Sequence, residues 1–217
     1  MQRRRLPGTD LELSLVGLGC WPFGGKYWGD DWSDADSVAT IERAVELGIN
    51  WFDTAPLYGR GHADEILVRA LGARRNDVLI ATKVGVRVRG SSGHAESDLS
   101  PAHLRADLEA SLRRLDVETI DLLQVHWPCE RHTPLEATFS TLARLKDEGK
   151  VRHIGVCNYD AVSLIDIAQW APVVSLQTPY SLLRREMEGE LLSTVSTLGL
   201  GVLAYEPLCR GLLTAKF

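Results

Sequence analysis

Seven short apolar runs alternate with six segments of helical period, and that alternation limits the folds open to this chain. The strand candidates span 14–20, 49–55, 77–83, 120–126, 153–158, 173–180 and 201–207. Between them the periodicity predicts helices over 36–47, 62–71, 101–115, 134–148, 160–169 and 186–198. Ser100-Pro101 and Thr133-Pro134 read as helix starts, and Gly48, Gly72 and Gly149 as helix stops. Strict βα alternation implies parallel strands buried on both faces and joined by right-handed crossovers. The opening RRRLPGTDLELS breaks the pattern and reads as a hairpin around Pro7-Gly8-Thr9-Asp10, a lid over one end of the structure. No linker or composition shift divides the chain, so residues 1–217 are expected to form one domain.

Two α/β architectures satisfy this order: an open doubly wound sheet and a (β/α)8 TIM barrel. A dinucleotide-binding sheet needs GxGxxG between its first strand and helix. Here Pro22 stands in place of the third glycine after Gly17 and Gly19, and no helix follows at once. The stretch from Gly199 to Ala204 matches GxGxxA but lies ahead of and inside a strand. The barrel is therefore favoured, and in a barrel functional groups gather at the carboxyl ends of the strands. That end carries Asp53, Lys83, Gln124, His126, Asn158, Gln177 and Tyr205, with Tyr58 in the turn after Asp53. Taken singly, Lys83 reads as a solvated edge, Asp53 as a helix cap, Tyr58 as turn filler and His126 as a core histidine. Convergence on one rim favours a shared role.

A tyrosine, a lysine, an aspartate and a histidine together make a proton relay. A phenol with a pKa of about 10 is a poor acid near neutrality. A lysine ammonium about 4 Å away contributes at most ~4 kcal/mol, lowering the phenol by up to about three units. Asp53 would keep Lys83 charged, and His126 would orient a carbonyl oxygen awaiting the Tyr58 proton. The matching hydride must come from a cofactor, since no side chain supplies one.

Bulk properties exclude several partners. Net charge is -5, and the only basic cluster is Arg3-Arg4-Arg5, so no nucleic-acid face is expected. No apolar run approaches the roughly 18 residues of a membrane helix, and the N-terminus lacks a signal-peptide core. Cys20, Cys129, Cys157 and Cys209 are scattered without a CxxC pair, which favours a reduced, cytoplasmic protein. Cys129 and His132 lack a second pair at ligand spacing, so no metal is expected.

Several motifs occur together in order: FDTAPLYG, ATK, LLQVHWP, IGVCN, LQTPYSLL and LAYEPLCRGLLTAKF. On these the chain resembles the aldo-keto reductases, from the N-terminal hairpin to the last residue. The resemblance implies a (β/α)8 barrel, a bound NADPH held without a Rossmann domain, and reduction of small-molecule aldehydes or ketones to alcohols. It makes Tyr58 the general acid, with Lys83, Asp53 and His126 completing the catalytic set. Cys157, Asn158 and Gln177 would hold the nicotinamide amide, beside Asp53, and Tyr205 would stack on the ring. Glu206, Leu208 and Gly211 would meet the pyrophosphate, and Gly19, Cys20 and Trp21 would line the first-strand side. Two positions depart from the pattern. Cys157 replaces a serine, and Glu206 puts a carboxylate where a pyrophosphate is expected.

The resemblance also implies an eighth strand and a C-terminal segment beyond Phe217, so the expected barrel is incomplete and keeps two unpaired edges. Alternative readings are a non-catalytic NADP-binding subunit resembling potassium-channel beta subunits, an inactive short product, and a Schiff-base lyase using Lys83. On the substrate side, Trp21, Phe23, Tyr27, Trp28 and Trp32 suggest an aromatic wall. The segment RVRGSSGHAESD reads as a mobile polar loop offering Arg87 or Arg89 to an anionic group.

Overall fold

The computed structural model describes residues 1–25, 32–89, 94–129 and 133–215. The hairpin pairs β1 (Arg3–Arg5) with β2 (Glu12–Ser14). Seven parallel strands follow: β3 (Leu18–Gly19), β4 (Trp51–Asp53), β5 (Leu79–Val84), β8 (Ile120–Val125), β9 (Val151–Cys157), β10 (Val173–Pro179) and β11 (Gly201–Tyr205). Their order is β11-β10-β9-β8-β5-β4-β3, so each joins its sequential neighbours as a barrel requires. Among the described residues the sheet stays open, with β3 and β11 as its edges. The helices are α1 (Asp34–Glu46), α2 (His62–Leu71), α3 (Pro101–Leu115), α4 (Leu135–Asp147), α5 (Ala161–Ile167) and α6 (Glu190–Thr197). None is long and apolar enough to cross a membrane.

Local chemistry explains most boundaries. Ser100 accepts from the His103 amide to start α3, with Pro101 in the first turn, and Asp160 does the same for α5 through Ser163. At α4 the expected threonine cap is replaced, because Pro134 itself sits at the cap with no side-chain bond. Residues 186–198, read as one helix, break at Gly189 into a 3-10 turn and α6.

Two cores hold the layers together. Ile80, Val84, Leu123, Val125, Ile154 and Val156 face helix residues such as Ile41, Leu67, Leu104 and Phe139. Each such side chain contributes roughly 1.5–3 kcal/mol on burial. On the other face, Leu6, Leu11 and Leu13 of the hairpin region pack against Ala81, Leu122 and Leu203. The hairpin thus plugs the amino ends of the strands, opposite the rim that carries the polar residues. Gly201 permits this: a Cβ there would stand 2.3 Å from Leu6 Cδ1. The turn is tied to β9 by Asp10, which bonds Arg152 at 2.6 Å and His153 at 2.7 Å.

The polar segment after Lys83 differs from its expected loop. Its described residues form an antiparallel pair, β6 (Val86–Arg89) with β7 (His94–Ser97), in which alternating Val86 and Val88 meet Ser97 and Ala95.

Candidate active site

A strand presents alternate residues to one face. In register across this sheet, Asp53 lies beside Ala81, Lys83 beside Gln124, and Cys157 beside Gln177. Tyr205 follows Leu203 on the same face, and His126 extends β8 by donating its amide to Val84 O at 3.0 Å. The parity that buries Ile80 and Val84 outward therefore turns Lys83 inward.

The Lys83 ammonium is almost completely buried, at 1% exposure. It donates to Asp53 Oδ2 at 2.5 Å, to the Thr54 carbonyl at 3.0 Å and to the Tyr58 hydroxyl at 3.2 Å. Those three acceptors use all its hydrogens. The other Asp53 oxygen accepts from Gln124 Nε2 and Gln177 Nε2, each at 3.0 Å. The His126 ring meets the Tyr58 ring edge-on, with centroids 5.9 Å apart. All four residues of the expected relay are brought together.

Electrostatics correct one expectation. Burial outweighs Lys83 at Tyr58: the phenol is pushed up to about 12, with the ammonium pulling down and the Asp53 carboxylate adding to the rise. Burial also opposes the Lys83 charge, but Asp53 and then Tyr58 overcome it and raise the ammonium's pKa. A charged, three-fold bonded amine has no lone pair for Schiff-base chemistry, which argues against the lyase reading. Burial, with the Lys83 charge behind it, holds His126 well below the usual histidine range, so its ring is neutral near pH 7.

Tyr58 and His126 open on a cavity of about 390 Å³. Its walls include Gly19, Trp21, Asp53, Cys157, Asn158, Gln177, Tyr205 and Glu206. On one wall the Cys157 thiol donates to Gln177 Oε1 at 3.7 Å, and the Tyr205 hydroxyl donates to Asn158 Oδ1 at 2.8 Å. Cys20 does not line the cavity. Next to inward Gly19 it points into the outer core, fully buried, while its amide donates to Asp53 O at 2.8 Å. Leu208 and Gly211 lie in the turn after β11, also outside the lining.

A sequence model of the aldo/keto reductase family matches residues 15–217. The chain belongs to the aldo/keto reductase family. It is 37% identical to aldo-keto reductase YhdN of Bacillus subtilis over the whole chain, which spans 65% of that relative's length. It is 38% identical to the NADH-specific methylglyoxal reductase of Escherichia coli, over 99% of this chain and 69% of that one. Among solved structures, the glycerol dehydrogenase AKR11B4 of Gluconobacter oxydans superposes with a TM-score of 0.91 at 42% identity, covering 100% of this chain and 66% of that one. The holo form of aldo-keto reductase AKR11C1 from Bacillus halodurans gives 0.91 at 31% identity, covering 100% and 70%.

Within this aldo/keto reductase frame, several rim residues were not singled out as site residues from sequence. Pro22, Leu57, Trp127 and Arg210 also line the cavity. Each adjoins a motif residue, so adjacency was the signal available. Arg210 lies over the Trp21 ring at 5.2 Å and donates to Glu206 Oε1 at 2.7 Å. The Glu206 carboxylate is thereby paired rather than left facing an anion. Among the described residues of the expected aromatic wall, Trp21 lines the cavity, but Phe23 is buried in the core and Trp32 stacks edge-on with His62. Tyr27 and Trp28 fall outside the described residues, as do His132 and the Arg89 side chain. Arg87 is engaged by Asp98 at 2.6 Å. Among the described residues no group of His, Cys, Asp and Glu gathers as a metal site.

Proposed function

We propose that the protein reduces small aldehydes or ketones to alcohols, with Tyr58 as proton donor and a reduced nicotinamide dinucleotide as partner. The resemblance names that dinucleotide as NADPH. One observation carries the reading. Lys83 donates to the Tyr58 oxygen, so the phenol's own hydrogen is free to aim into the cavity that Tyr58 lines.

The far wall fits the nicotinamide end. Cys157, Asn158 and Gln177 offer the donors and acceptors that a carboxamide needs, and Tyr205 offers a flat ring beside them. When bound, the reduced nicotinamide supplies the hydride to the carbonyl carbon. Tyr58 gives its proton to the carbonyl oxygen, and the phenolate left behind is stabilised by Lys83. A phenol near 12 still suffices, because an alkoxide is far more basic than a phenolate. Asp53 keeps the ammonium in place, and neutral His126 can donate one N–H to the same carbonyl oxygen. Trp127 and Leu57 supply apolar surface that limits water at that point.

The test follows loss of reduced-nicotinamide absorbance with methylglyoxal, the compound named for the Escherichia coli relative, in separate assays with NADPH and NADH. Turnover with either nucleotide, faster with NADPH, is the expected result. Binding of both without turnover would overturn the reading in favour of a nucleotide-sensing subunit.

A further inference from the structure

Behind the Lys83 ammonium lies a second ion pair that the proposed chemistry does not use, a buried carboxylate held by a partly exposed arginine. Asp64, in the first turn of α2, has no exposed surface. Both its oxygens are occupied: Thr54 Oγ1 donates to Oδ1 at 2.6 Å, and Arg114 Nε donates to Oδ2 at 3.0 Å. Arg114, on α3, is steadied by a bond from Nη2 to Ser111 Oγ at 3.1 Å. Its stem runs against Gly61, where an added Cβ would stand 2.7 Å from Arg114 Cδ. That approach, together with a φ of +94°, favours glycine there.

Thr54 is the link to the site. It is fully buried, its amide donates to Ala81 O at 2.9 Å, and its carbonyl is one of the three acceptors of Lys83. The side chain of the same residue reaches Asp64. Burying a carboxylate costs several kcal/mol unless it is well paired. Burial indeed raises the Asp64 carboxyl, and Thr54 and then Arg114 offset only part of that rise. Bracing α2 against α3 does not require so costly a group, since Ile66, Leu67, Leu104 and Leu108 already join the shared core. A hydroxyl bonded to a carboxylate is short and strong, and it fixes the backbone that carries it.

We infer that Asp64, held by Arg114 and acting through Thr54, is a positioning residue for the Lys83–Tyr58 pair. Its catalytic consequence rests on the proposed reduction, but the geometric claim does not. If the Thr54 carbonyl shifts, Lys83 loses one of three acceptors and drifts from the phenol oxygen.

Lysine-selective ¹H–¹⁵N spectra test this without turnover. Lys83 should give a slowly exchanging ammonium signal, assigned by its loss in Lys83→Met. Thr54→Val removes the hydroxyl at nearly constant shape, and with Asp64→Asn it should speed that exchange about tenfold or more. The amides of β5 should keep wild-type protection in both, and Thr54→Ser should restore the slow signal. In the carbonyl assay, Thr54→Val should lower kcat about tenfold with KM changed less than about twofold, since neither Thr54 nor Asp64 lines the cavity. Unchanged Lys83 exchange in Thr54→Val, or a rise only in step with the β5 amides, overturns the inference and leaves Asp64 as a brace between helices. Absence of turnover in the wild type would remove the reductase reading alone, because the ammonium result stands without it.

Discussion

At the scale of single residues, the Lys83 ammonium directs its three hydrogens to Asp53, Thr54 and Tyr58. This side chain is both a structural tie and an electrostatic tool. Removing it leaves the Asp53 carboxylate, among the described residues, with the two glutamine amides as donors. Lys83→Met should therefore cost about 3–5 kcal/mol of stability, read from urea unfolding, besides abolishing carbonyl reduction. A stability loss below about 1 kcal/mol would mean that the buried pair is weaker than its geometry implies. The corrected electrostatics at Tyr58 belong to this scale too. Charge proximity was visible in the spacing of Tyr58 and Lys83, but the degree of burial that outweighs it arises only when the rim closes around the phenol.

At the scale of elements, strand parity connects fold to site. Ala81 and Lys83 alternate with Ile80 and Val84, so one five-residue stretch feeds the hairpin plug, the helix-facing core and the relay. The plug makes a specific prediction at its tightest contact. Gly201→Ala should destabilise the protein through a clash with Leu6, by about 1–3 kcal/mol. Leu6→Ala alone should cost about 2–5 kcal/mol through the cavity it leaves. Combined, the two should cost less than their sum, and a double-mutant cycle in denaturant measures this; strict additivity would show that the two residues do not share the space.

Much at this level was legible in the sequence. The strand and helix periods, the Ser100 cap and the polar strand ends identified six helical segments, seven parallel strands and one functional rim. What escaped has physical reasons. The β6–β7 pair is rich in charge and short, so its alternation is hidden by Arg87, Arg89, His94 and Glu96. The resemblance placed Cys20 at the wall with Gly19 and Trp21, yet one step in parity turns it into the outer core. Pairing of Glu206 with Arg210 joins residues four apart in a turn with positive φ at both, a geometry that no helix or strand period signals. The Asp64–Thr54 contact joins β4's continuation to α2 across ten positions, and side-chain spacing alone did not single it out.

At the scale of the whole molecule, an open parallel sheet carries an apolar plug at one end and a polar, ionised site at the other. Global stability should therefore respond to pH through the rim. Burial keeps His126 neutral below its ordinary value of 6.5, so the unfolded chain binds a proton there that the folded chain refuses. Stability should fall as pH drops from about 7 towards 5, by at most about 1.4 kcal/mol per unit from this group. His126→Gln should flatten that slope in thermal melts; an unchanged slope would place the acid sensitivity elsewhere.

The same separation of plug and rim allows chemistry to be removed without disturbing the scaffold. Tyr58→Phe deletes one oxygen at the cavity wall and leaves Asp53, Gln124 and Gln177 bonded as before. Steady-state reduction of methylglyoxal should then fall about 10²–10⁴-fold or more, while the affinity for the reduced dinucleotide, measured by fluorescence titration, stays within about twofold. Turnover within about tenfold of the wild type, with binding intact, would contradict the assignment of Tyr58 as the proton donor.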